Sequence, residues 1–121
     1  MPIWLLQGSE GLFWQPNDHP KSSEQLKAAL VNGPVSVIAD CDDDVFKFYK
    51  SGVITSGCGV NQDHAVLAVG YEKVEGIEAF IVKNSYGTSW GNEGYVWIST
   101  DQSINDGEGA CGILSRPMIA V

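Results

Sequence analysis

With 121 residues, 44% of them apolar and 10% aromatic, the chain is long enough for one packed domain and too short for two ordinary ones. A formal net charge of −8 excludes the clustered basic surface that nucleic acid requires, and no apolar run reaches the length of a membrane span. The opening Met1-Pro2-Ile3-Trp4-Leu5-Leu6 has neither the basic region nor the length of a signal peptide.

Residues 1–20 read as an irregular arm, punctuated by Gly8, Gly11, Pro16 and Pro20, whose Trp4, Leu5 and Leu6 need something to pack against. A helix is predicted from Ser22. Ser22 and Gln25 form a capping box, Leu26, Ala29 and Leu30 share one face, and Asn32-Gly33-Pro34 stops it. Val35 to Ala39 reads as a strand buried on at least one face. Asp42-Asp43-Asp44 opens a short helical turn, with Lys47 and Lys50 at its end and Gly52 just beyond. The acidic triplet is read as a solvated helix start, since nothing else suggests a calcium loop. Val53-Ile54 is a short extended piece leading to the Cys58 loop.

Two β-prone runs follow, one opening at Asp63-His64 and one ending at Lys83-Asn84, joined by the polar segment Glu72 to Glu78 with a central glycine. Antiparallel pairing about Val74 and Glu75 would set His64 beside Asn84. Gly94 to Ser99 alternates and adds a third strand, Asp101 to Gly109 is a polar loop, and the tail from Cys111 reads as a last strand. The pattern predicts an α+β fold: a strongly curved antiparallel sheet, barrel-like, with helices on its outside. Residues 1–20 are expected to form an arm and crossover, and residues 21–121 the β domain.

His64 or Asn84 alone would be an ordinary polar residue at a strand end. Together they suggest a base and its orienter, because an acceptor on one imidazole nitrogen fixes the tautomer and frees the other for proton transfer. Cys41, Cys58 and Cys111 are an odd set, for which one disulfide and one leftover thiol is the default in an exported protein. They contain no short-spaced ligand pair for zinc, so no metal and no cofactor is expected.

Five blocks in order, Asn32-Gly33-Pro34-Val35-Ser36-Val37, Phe46 to Ile54, Asp63 to Tyr71, Lys83 to Gly91 and Cys111-Gly112-Ile113, resemble the C-terminal half of a papain-like cysteine peptidase of the cathepsin L group. The likeness runs from about Ser22 to the chain end. It implies a right-hand β domain facing a mainly helical left-hand domain across a substrate cleft. His64 would be the catalytic imidazole, stabilising a thiolate and then protonating the leaving amine, and Asn84 its orienter. Cys58 and Cys111 would pair, leaving Cys41 as a small buried hydrophobe. Ile38 and Ala65 would wall the pocket for the second substrate residue before the cut, and Arg116 would form its floor and favour an acidic or polar side chain. Tyr86 stands where the family has tryptophan, and with Trp90 it would shield the Asn–His bond.

The nucleophile is missing. Gln7 to Trp14 echoes the family's segment around that cysteine, but Phe13 would take the cysteine's place and Glu10 that of a disulfide cysteine. The other alignment, which makes Gly11 to Pro16 the crossover strand entering the right-hand domain, is preferred for its short distance to the Ser22 helix. The chain alone is therefore expected to be inactive, and to need a left-hand partner chain, a homodimer or a larger assembly, with peptide as substrate once completed. The alternative is an inactive papain-like module with a structural or binding role. The resemblance implies a lysosomal, vacuolar or extracellular setting.

Overall fold

The computed structural model describes residues 22–115 and the backbone of Pro117 and Met118. The arm and crossover of residues 1–20, and Arg116, lie outside the described residues. Helix α1 (Ser23–Leu30) is followed by β1 (Val35–Ala39), the single turn α2 (Asp44–Lys47), β2 (Val53–Ile54), β3 (His64–Val74), β4 (Ile77–Lys83), β5 (Tyr95–Ser99) and β6 (Pro117–Met118). The strands form one six-stranded sheet in the order β2-β5-β4-β3-β1-β6.

The α+β architecture agrees with the sequence reading, with two corrections to the sheet. It is open, with β2 and β6 as its edges, and not closed into a barrel. It is also mixed, because β2 pairs parallel to β5 while the other pairs are antiparallel. Val53 and Ile54 can do this because the chain reaches β5 through β3 and β4, a connection long enough to reverse direction twice.

Ser22 caps α1, its hydroxyl accepting from the Gln25 backbone at 3.2 Å. Leu26 and Ala29 point from that helix into a core shared with Val35, Val37, Phe46, Phe80, Val82, Val96 and Ile98. Lys27 spans from the helix to Glu78 on β4 at 2.9 Å, and Thr100 donates to the same carboxylate. Asp43 precedes α2 but does not cap it, accepting instead from the Gly59 backbone at 3.1 Å. That bond ties α2 to the loop carrying Cys58.

The tail departs most from expectation. Where a strand was predicted from Cys111, the chain makes a 3-10 turn, Ala110–Gly112. Cys111 and Gly112 have φ of 58° and 70°, a left-handed pair that no strand accommodates. Ile113 and Leu114 are both buried in succession, so the pleated alternation of a strand is absent. The polar loop before it likewise holds a 3-10 turn, Ile104–Gly107.

Candidate active site

The β3–β4 hairpin turns on Glu75 and Gly76, with φ of 51° and 85°, one residue later than the sequence pattern suggests. Two central residues with positive φ make the type I′ geometry that suits strand twist, and glycine takes the second at little cost. The register then shifts once. Val74 pairs with Ile77 and Gly70 with Ile81, but Ala68 pairs with Val82, leaving Val69 as the extra residue of a bulge.

That bulge decides what His64 meets. Continued from the Leu67–Lys83 pair, the register sets Asn84 opposite Val66, so His64 and Asn84 lie on one face as diagonal neighbours. Without the shift, Asn84 would stand opposite Leu67, on the other face. The observed contact is His64 Nε2 to Asn84 Oδ1 at 3.2 Å.

The amide's orientation follows from its other bond. The Ser85 backbone N–H donates to Asn84 Oδ1 at 2.7 Å, so the atom facing the imidazole is the oxygen. An oxygen can only accept, so the neutral ring carries its proton on Nε2 and keeps its lone pair on Nδ1. Among the described residues nothing hydrogen-bonds Nδ1. Ser85 Oγ lies 3.3 Å from the same Nε2, a second contact on the orienting side. Asn84 is buried, 5% exposed, and its Nδ2 has no acceptor among the described residues.

Aromatic rings bracket the pair. Tyr86 lies over His64 with centroids 5.3 Å apart and planes 28° from parallel. Trp90 meets Tyr86 edge-on at 5.6 Å, stacks on Phe46 at 5.0 Å, and donates from Nε1 to the Lys47 carbonyl at 3.0 Å. The loop after Asn84 is thus held to α2. Tyr86 stays 45% exposed, so its ring covers His64 while keeping one side to solvent.

On the other flank, β1 ends where β3 begins: Ala39 pairs with His64, and Asp63 N–H donates to the Ala39 carbonyl. Asp63 Oδ1 accepts from the Cys41 backbone at 3.0 Å, closing the ladder just before His64. Asp63 and Ser85 carried no role in the sequence reading; each directly adjoins a flagged residue, which is the signal that was there to use.

Ile38 and Ala65 are cross-strand partners. Ala65 lines a concavity of about 470 Å³ together with Ser36, Leu67, Lys83 and Ser85, while Ile38 is half-buried beside it. Cys58 and Cys111 form a disulfide with Cα atoms 4.8 Å apart. Cys41 is a free, buried thiol, pushed up to about 12 by its burial and then by the neighbouring Asp63 and Asp40 carboxylates. A thiol held protonated is a poor nucleophile. Among the described residues no cluster of His, Cys, Asp or Glu is arranged to hold a metal, and no helix is long and apolar enough to cross a membrane.

Comparison with known proteins shows what the chain as a whole is similar to. Residues 14–121 match the papain family of cysteine proteases. The rice cysteine endopeptidase Rep1 (Oryza sativa subsp. japonica) is 48% identical over 114 residues, which is 93% of this chain and 28% of Rep1. The rice senescence-specific cysteine protease SAG39 (subsp. indica) is 42% identical over 102 residues, 83% of this chain and 30% of that protein. Bromelain from Ananas comosus, solved with the E64 inhibitor, superposes with a TM-score of 0.77 at 33% identity, over 84% of this chain and 46% of bromelain's. The chain therefore spans less than a third of these curated relatives and less than half of the solved enzyme. On this match, and on the fold that accompanies it, the chain belongs to the papain family of cysteine proteases.

Proposed function

We propose that the chain is the imidazole-bearing half of a papain-like peptidase, hydrolysing peptide bonds when joined to the part that carries the nucleophilic cysteine. The observation that carries this reading is the His64–Asn84 pair, with Nε2 tied at 3.2 Å and Nδ1 unbonded among the described residues. His64 accepts the thiol proton on Nδ1, giving a thiolate–imidazolium pair, and returns it to the leaving amine. Asn84 holds the ring by accepting from Nε2–H in both protonation states. Tyr86 and Trp90 keep water from that bond, tyrosine doing so in place of the family's tryptophan. Ala65 and Ile38 wall the pocket for the second residue before the cut, and the floor that the family resemblance assigns to Arg116 lies outside the described residues.

None of the chain's own cysteines fits the nucleophile's part. Cys58 and Cys111 are bonded to each other, and Cys41 is buried with its thiol pushed up to about 12. The disulfide supports an oxidising setting, such as a vacuole or the cell exterior. The experiment is hydrolysis of a peptide amide by the native assembly containing this chain, under reducing and mildly acidic conditions. Activity that His64→Ala lowers by about 10²–10⁴-fold is expected. An assembly that does not hydrolyse, or hydrolyses equally well with His64→Ala, would leave the inactive-module reading in its place.

A further inference from the structure

We infer that the rim beside His64 formed by Tyr86, Asp63 and Asp42 selects a lysine or arginine side chain as the first residue after the cut. The inference rests on the split-peptidase reading above and names a substrate class that reading leaves open.

The rim is a closed circuit of contacts. Asp63 directly precedes His64 and accepts from the Cys41 backbone at 3.0 Å. Cys41 leads into Asp42, whose carboxylate lies 3.4 Å from Lys47 Nζ. The Lys47 carbonyl accepts from Trp90 Nε1 at 3.0 Å, Trp90 meets Tyr86 edge-on, and Tyr86 covers the imidazole. The start of β3, the approach to α2 and the loop after Asn84 thereby meet against His64. Chain order also sets the rim's place along a bound peptide. Asp63 and Ala65 flank His64 on opposite sides, so a peptide whose second residue before the cut meets Ala65 carries the residue after the cut towards Asp63.

Two features of the rim suit a cation. The first is charge. Lys47 is already paired with Asp42, whereas Asp63 uses only its Oδ1, and its Oδ2 has no partner among the described residues. One carboxylate is thus left uncompensated, and an acidic side chain after the cut would meet like charge. The second is an open aromatic face. Tyr86 gives one face to His64, is 45% exposed, and has no hydrogen-bond partner for its hydroxyl among the described residues. Such a ring takes the apolar stem of a lysine or the plane of a guanidinium and leaves the charged head for the carboxylates. Burial raises the Tyr86 phenol above its ordinary value, and Cys41, Asp63 and Asp42 raise it further while Lys47 opposes them. The hydroxyl therefore lies in the field of the same groups that close the circuit.

The test is hydrolysis by the native assembly of two peptide amides that differ only in the first residue after the cut, lysine in one and glutamate in the other. The lysine peptide should have the higher kcat/KM by about 10-fold at low ionic strength, and about 0.5 M salt should shrink that ratio. Asp42→Asn and Asp63→Asn should each lower it by about 3-fold. Neither change undoes the local fold: Asp42 is exposed and paired only with Lys47 among the described residues, and an amide at position 63 keeps the oxygen that accepts from Cys41. Asp106→Asn, an exposed charge change in the turn Ile104–Gly107 outside the rim, should leave the ratio unchanged. Equal rates for the two peptides, a glutamate preference, or a lysine preference that both rim substitutions leave intact would overturn the inference. If neither peptide is hydrolysed, or His64→Ala leaves hydrolysis unchanged, the peptidase reading fails by itself, and equilibrium binding of the same two peptides to the assembly decides the rim. Tighter binding of the lysine peptide that Asp42→Asn weakens supports it, and equal binding overturns it.

Discussion

At His64, the proposed chemistry depends on which nitrogen keeps a lone pair, and that is set one residue beyond its partner. The Ser85 N–H fixes the Asn84 oxygen, the oxygen fixes Nε2–H, and Nδ1 is left unbonded among the described residues. Asn84→Leu tests this chain of constraint, since it removes the oxygen that accepts from Nε2–H. The His64 Nε2–H resonance should then be lost from the NMR spectrum through exchange with water. A resonance that persists would mean that residue 84 does not hold the ring in solution. Cys41 gives a second test at this scale. Its folded thiol is raised to about 12 while the unfolded one ionises near 9, so its contribution to stability is complete below pH 9. It is lost as pH climbs from 9 towards 12, with a slope of at most about 1.4 kcal/mol per pH unit. Urea midpoints between pH 8 and 10.5 should therefore fall less for Cys41→Ala than for the native chain. Native Cys41 should also resist alkylation at pH 8 until denaturant is added.

At the scale of elements, the β3 bulge is the device that builds the site. Deleting Lys83 sets Asn84 opposite Leu67, where it would stand without the register shift, and so on the face away from His64. The expected result is loss of the His64 Nε2–H resonance while the Cys58–Cys111 disulfide and the hairpin turn persist. Much of this element was legible beforehand. Strong β-formers bounded by polar residues predicted both strands, and Ser22 with Gln25 marked the start of α1. The hairpin turn was placed one residue early because a glycine shows that a positive φ is needed but not which turn position it fills. The bulge was invisible, since Val69 continues an apolar run and only pairing reveals that it is extra. Cys111 misled for a related reason. Ile113 and Leu114 look like strand residues, and the left-handed backbone that turns them lies at Cys111 and Gly112.

For the whole molecule, the disulfide closes a loop of 53 residues between the α2 side of the core and the C-terminal turn. Loop-closure entropy makes it worth about 4 kcal/mol. Guanidinium unfolding with and without reductant should show that loss as a lower midpoint. The chain corresponds to less than a third of the curated relatives it matches and to less than half of bromelain's chain. That was legible in the sequence as a family likeness covering one domain, whereas the open topology was not, because closure depends on which strands end at the edges. On the proposed function, His64 serves a cysteine lying outside these residues. The most direct measurement is labelling of the native assembly with a thiol-directed peptide epoxide, followed by mapping of the modified cysteine. One labelled cysteine is expected that is none of Cys41, Cys58 and Cys111, with labelling abolished by His64→Ala. No labelling under reducing, mildly acidic conditions, or labelling that His64→Ala leaves unchanged, would contradict it.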